Sequence, residues 1–328
     1  MSNAMKIVIM LLVLILALAL FFVIPAVPKL IRANGKRGKK IKLSAFEIVL
    51  YGAMMFYSFL MIYLIVWAFI CSLKTGDGWT FEHLGLETDW KFSNFAIAFS
   101  KISVVSGGVR ANVFQCLMNG FIFAGGAAFF QTLCTVIVAY CTARYDCKLS
   151  KIIHTVVIVV LVLPIAGNLA SQYEIAKLTH TYNNIIGMFV MKFGFSNMYY
   201  LVFYAAFKSI PKDYMESALL DGANHFIVFA RIMLPLVMTL IGAVFLLFFI
   251  QYWNDYQYPM MFLPSMPTAS YALYLFIDPN GGGGDKVVAE NSALRITAGF
   301  LVFTPIFVIF LIFRNKIMGN LQEGGIKC

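Results

Sequence analysis

The chain has 328 residues, of which 61% are hydrophobic and only 12% charged. That balance excludes a soluble globular domain and points to an all-α polytopic membrane protein. The net charge of +10 would suit a nucleic-acid partner, but the basic residues stand in short loops between apolar runs, which is the pattern of membrane topology and not of a phosphate-binding surface.

Met1 to Ala4 read as a tag remnant ahead of a natural start at Met5. Met5 to Val27 is then a run long enough to cross a hydrocarbon core of about 30 Å. A cleaved signal peptide would carry its positive charge before the apolar run. Here Lys6 stands alone in front, while Lys29, Arg32, Lys36, Arg37, Lys39, Lys40 and Lys42 follow. The expectation is an uncleaved helix with its N-terminus outside and a basic cytoplasmic loop, residues 5–45 in all. A second span runs from Phe46 to Ser72, with Trp67 as an interface anchor, and leads into an outer loop from Thr75 to Ala111 whose acidic and basic residues nearly cancel.

The third span, Phe114 to Tyr140, carries Asn119, Gly120, Gly125, Gly126 and Gln131; its small residues permit a neighbouring helix to approach closely. A short basic loop leads to a fourth span, Ile152 to Ala170, which Pro164 should kink or end. The stretch Ile185 to Phe207 is interrupted by Lys192, Gly194 and Asn197. A charge at mid-membrane is costly, so Lys192 either faces a watery cavity or, as the preferred reading, marks the outer boundary of a span nearer Phe195 to Lys208.

The polar segment that follows must lie outside the hydrocarbon. Pro211 suits a first helical position, Tyr214, Met215, Ala218 and Leu219 share one apolar helix face, Gly222 suits a left-handed helix end, and Asn224 suits the cap of a second helix. A sixth span, Met233 to Tyr252, ends in Trp253-Asn254-Asp255. These are an aromatic ring and two groups able to bond sugar hydroxyls, or equally a belt residue and a helix-ending pair. An outer loop from Tyr256 to Ala293 holds Asp278, Asn280 and the thin tip Gly281, Gly282, Gly283 and Gly284, and the last span covers Leu294 to Phe313. Seven spans with an outside N-terminus and a cytoplasmic C-terminus place every strongly basic loop on one side.

Reactive chemistry is not visible. His83, His154, His180 and Glu174 have no metal-ligand spacing, the six cysteines show no C-x-x-C and read as free thiols, and no serine stands in a nucleophile elbow. Acidic residues at mid-membrane, which an ion-coupled carrier usually keeps, are also missing from the pattern.

Glu216, Ala218, Asp221, Gly222 and Ala223, with Ile232, Leu234 and Pro235 at the matching distance, resemble the EAA motif of the membrane subunits of ATP-binding-cassette importers; Ser217 stands where the pattern has alanine. Ala139-Tyr140 followed by Ala143-Arg144, Leu163-Pro164 and Trp253-Asn254-Asp255 are similar to segments of the carbohydrate branch, the smaller permease of the maltose type, although Cys141 replaces a usual alanine. The resemblance implies a type I importer fold in which residues 46–328 form a six-helix permease core, the first helix is an extension, and 209–235 couples to a motor. In that family Tyr214, Met215, Glu216, Ser217, Ala218, Asp221, Gly222 and Ala223 would dock on an ATPase subunit. Asn119, Gln131, Asn168, Tyr252, Trp253, Asn254 and Asp255 are candidate path-lining groups, and Asp278, Asn280 and Gly281 to Gly284 would reach a binding protein.

The implied partners are a second permease in a heterodimer, two ATP-binding subunits, an extracellular solute-binding protein, lipid and a carbohydrate, with no nucleic acid. This chain would bind no cofactor; ATP and Mg would sit on the ATPase, so the chain is not itself an enzyme. An importer of another small polar solute such as glycerol phosphate, or a stand-alone secondary carrier, are the alternatives.

Overall fold

A computed structural model describes residues 45–75, 90–101, 103–163, 167–277 and 291–323. The N-terminal helix and basic loop, Pro164, and the Asp278 to Gly284 tip lie outside the described residues. Apart from one two-stranded hairpin, the described elements are helices. The described residues divide into two compact units, one holding those up to Ala98 with 291–300 and the other those from Phe99 to Ile277 with 301–323.

In the first unit α1 (Ala45–Ser72) leaves most of its apolar side chains exposed, among them Phe46, Met54, Phe56, Tyr57 and Leu64. Such a surface is stable against lipid or another subunit and not against water. Its C-terminal carbonyls are satisfied by side chains: Asn94 Nδ2 donates to the carbonyls of Ser72 and Lys74, each at 2.9 Å, and Thr297 Oγ1 donates to that of Ser72 at 2.9 Å. Asn94 lies on α2 (Ser93–Lys101). Thr297 lies on α13 (Ser292–Glu323), whose opening turns belong to this unit.

The second unit is built on α3 (Val113–Arg144), at 32 residues about 48 Å long. That exceeds the hydrocarbon core, so its ends project into polar surroundings. Two helices lie along it: α7 (Met198–Ser209) contributes the fully buried Tyr200, Phe203 and Phe207, and α10 (Met238–Asn254) contributes Phe248, Tyr252 and Trp253. Ring contacts lock the three together, with Phe121 4.7 Å from Trp253, Phe123 6.1 Å from Tyr252, and Tyr199 4.9 Å from Phe248. Gly126 is where the packing is tightest, since a β-carbon there would lie 2.2 Å from the Phe189 ring.

Several spans expected from sequence are broken or shorter. The Thr75 to Ala111 loop contains α2 and a hairpin, β1 (Ser103–Ser106) and β2 (Val109–Asn112), in the register Ser103 with Asn112. The hairpin docks through Ser106 Oγ, 3.0 Å from Tyr271 OH. The fourth span is α4 (Lys148–Val162) and does not reach Ala170, because Asn168 begins a separate helix, α5 (Asn168–Leu178). In the fifth, α7 falls where the preferred span near Phe195 to Lys208 was expected, and the residues before it form a separate helix α6 (Ile185–Met191), with Lys192, Gly194 and Asn197 in the break. The polar residues interrupt the backbone as well as the hydropathy.

Candidate functional site

The polar segment after α7 folds as helix, turn, helix. Ile210 is extended (φ −70°, ψ 131°), as a residue before proline must be. The helix α8 then runs Asp213–Leu220, with Asp213 and Glu216 in the first turn, where the partial positive charge of the helix end favours them. Pro211 is not the first helical residue as expected; it precedes the capping Lys212, where its missing N–H again costs nothing.

Gly222 has φ +85°. Around it the amide of Ala223 reaches the Ala218 carbonyl at 3.0 Å and that of Gly222 reaches Leu219 at 3.1 Å. This pair of bonds closes the helix end and requires the left-handed residue that glycine supplies without strain. Asn224 Oδ1 accepts from the amide of Ile227 at 2.8 Å and opens the next helix, as its position in the sequence implied.

Ala218 is the buried residue of α8, with Met215 and Leu219 half-buried beside it. Tyr214, expected on that face, is 53% exposed, and Leu220 (88%) and Phe226 (74%) are further large apolar side chains of the same segment left uncovered by the described residues.

The following helix α9 (His225–Leu236) contains a π-helical stretch, Val228–Met233, and meets α10 at an angle of 76°. The amide of Leu234 bonds the Phe229 carbonyl, five residues back. Pro235 offers no amide to the turn before it, so the ladder slips and bends here. The sixth span, expected from Met233, therefore runs straight only from Met238, and the residues before it belong to a helix set at an angle to it. Its π stretch rests on α3, with the Phe229 ring 4.7 Å from Tyr140.

A second polar group gathers around α6. Gln131 donates through Nε2 to the Gly194 carbonyl at 3.0 Å and accepts at Oε1 from Tyr252 OH at 2.7 Å. Asn197 Nδ2 donates to Thr135 Oγ1 at 2.8 Å. Lys192 is buried, with Nζ 3.0 Å above the Tyr258 ring centroid and 4.9 Å from that of Tyr252. Tyr258 OH donates to Gln172 Oε1, and its amide donates to Asp255 Oδ1 at 3.1 Å.

Of the expected path residues, Gln131, Tyr252 and Asp255 therefore belong to one cluster. Asn119 donates instead to the Pro267 carbonyl at 3.0 Å, Trp253 Nε1 to the Val302 carbonyl at 3.2 Å, and Asn254 back onto its own helix at Ile250. Asn168 stands exposed at the start of α5. Tyr258 and Gln172 were missed, because neither is unusual until the fold sets the Tyr258 ring under Lys192 and its hydroxyl on Gln172. No three His, Cys, Asp or Glu side chains among the described residues are placed to hold a metal.

Residues 131–323 match the family described as the binding-protein-dependent transport system inner membrane component. The chain belongs to this family. The matched region takes in the whole helix–turn–helix segment and the Lys192 cluster. Over 289 residues the permease is 25% identical to the arabinooligosaccharides transport system permease protein AraQ of Bacillus subtilis, covering 87% of this chain and 97% of that one. It is 24% identical to the melibiose/raffinose/stachyose import permease protein MelC of the same organism, over 73% of this chain and 82% of the relative. Among solved structures it shares its fold with a chain of a bacterial ABC transporter involved in the import of the acidic polysaccharide alginate, at a TM-score of 0.69 and 17% identity over 84% of this chain and 99% of the other. The importer fold expected from the EAA-like residues is thus the fold of this permease.

Proposed function

We propose that this permease is the carbohydrate-translocating membrane subunit of an ATP-driven importer, paired with a second permease and served by two ATPase subunits and an extracellular binding protein. The observation that carries the reading is the segment from Asp213 to Leu236. A short helix exposing Tyr214 and Leu220 is closed by Gly222 and joined directly to a bent span. A surface of that kind takes up a push from outside the membrane and delivers it to a helix with a built-in bend. The family's binding-protein dependence and the sugar-import names of its relatives support the cargo class.

On this reading the energy source is ATP with Mg on the partner subunit. Residues 213–223 dock on that subunit at the cytoplasmic face, and the glycine-rich tip at 281–284 meets the binding protein outside. Closure of the ATPase pair moves α8, and the helices around α3 rock so that the path changes its open side. Gln131, Tyr252 and Asp255 supply hydroxyl-bonding groups along that path, and Lys192 adds donors beside the Tyr258 and Tyr252 rings.

The test is reconstitution with the partner permease, ATPase and binding protein in liposomes. Uptake of arabino-oligosaccharides or of raffinose should require ATP inside and binding protein outside. Uptake by the purified chain alone, driven by an ion gradient, would instead make it a secondary carrier.

A further inference from the structure

We infer that Arg144 is a positioning residue that ties the docking helix to α3, so that movement of α8 is delivered to this 32-residue helix as well as to α10. The inference rests on the coupling role proposed for 213–223. Arg144 is the last residue of α3 and is buried. Its Nη2 donates at 2.8 Å to the carbonyl of Ile210, the residue just before Pro211, and lies 3.9 Å from Met233 Sδ in the π stretch. One guanidinium thus touches the segment at its entry and at its exit.

The turns around it hold the same segment. Tyr140 packs on Phe207 at 5.4 Å and on Phe229 at 4.7 Å, and Tyr145 OH lies 3.2 Å from His225 Nδ1 at the start of α9. The end of α3 therefore grips α7, the entry to α8, and both parts of α9.

A charged donor bonded to a carbonyl in a dry site is short and directional, so it transmits displacement better than apolar contact alone. The clamp also has unused capacity. Arg144 Nε is buried without a hydrogen-bond partner among the described residues. A group left unpaired in one state is available to new carbonyls in another. The π stretch beside it is the least regular part of α9 and is the element able to change register.

The experiment uses the assembled importer in proteoliposomes, with phosphate release and raffinose or arabinotriose uptake read from the same vesicles. Cross-linking from Ser217→Cys to the ATPase subunit is measured in parallel. With Arg144→Met we expect the cross-link to persist and hydrolysis to stay within about twofold, while uptake per ATP falls about five- to tenfold. Arg144→Lys, which keeps the charge and a donor for the Ile210 carbonyl, should regain most of that ratio.

An unchanged ratio in Arg144→Met overturns the assignment. So does parallel loss of hydrolysis, uptake and assembly, which would make Arg144 a fold-holding residue only, or an Arg144→Lys variant no better than Arg144→Met. Absence of any Ser217→Cys cross-link in the otherwise unaltered importer sinks the coupling role itself, whereas a cross-link with an unchanged ratio sinks the Arg144 assignment alone.

Discussion

Gly126 and Gly125 are neighbours in sequence and opposites in space. A methyl group at Gly126 would stand 2.2 Å from the Phe189 ring, whereas one at Gly125 would meet nothing nearer than Phe249 at 4.0 Å. Gly126→Ala should therefore cost about 1–3 kcal/mol through overpacking, and Gly125→Ala close to nothing, as read from thermal unfolding of the purified permease followed by size exclusion. The sequence marked Gly120, Gly125 and Gly126 alike as packing positions; which one cannot take a methyl group unless its neighbour shifts depends on where Phe189 falls.

Cys147 gives a second residue-scale test. The Ser150 hydroxyl, 3.2 Å from its sulfur, and the Ser150 amide at 3.4 Å hold this exposed thiol below the ordinary cysteine range. A lowered thiol carries more thiolate near neutral pH, so Cys147 should react with a charged maleimide faster than an unperturbed cysteine. Ser150→Ala should slow the reaction. Labelling should occur in inside-out vesicles and not in right-side-out ones if the basic loop faces the cytoplasm.

Among the elements, the helix–turn–helix segment at 213–236 was the most readable. Its caps are local chemistry: glycine at a left-handed position and asparagine before a helix leave the same mark in any fold. Asn224→Ala removes the bond to the Ile227 amide and should cost about 1 kcal/mol. Gly222→Ala forces a β-carbon into the left-handed region at about 1–2 kcal/mol although space is open around it. Both should appear as faster amide exchange across 218–228, without loss of the α3 core.

The spans were less readable, for a physical reason. Hydropathy reports burial from water and is blind to whether the backbone runs on, so the bend at Val237 stayed hidden inside an apolar run, whereas the gap between α6 and α7 was marked by Lys192, Gly194 and Asn197. Lys192 was noticed for its charge, but its resting place on two tyrosine rings needs residues 60 and more positions away in the chain. The Gln131 and Tyr252 pair, 121 residues apart, is the same case.

For the whole molecule, composition decided membrane residence and the EAA-like spacing decided the family, while the surfaces left uncovered point to assembly. Leu220 and Tyr214 are exposed on a helix that lies between apolar spans without being one. Leu220→Glu together with Tyr214→Glu should abolish co-purification of the ATPase subunit while leaving the permease monodisperse in detergent, because neither side chain supports the core. Retention of the ATPase by that double variant would move the docking surface elsewhere.

The Ser72 carbonyl serves two donors, Asn94 from 22 residues downstream and Thr297 from 225 residues downstream. During synthesis the first is on hand almost at once, and the second emerges only when the ribosome has nearly finished. The end of α1 therefore has both its donors only once the chain has been made through Thr297. A chain truncated before that residue leaves the Ser72 carbonyl with Asn94 alone.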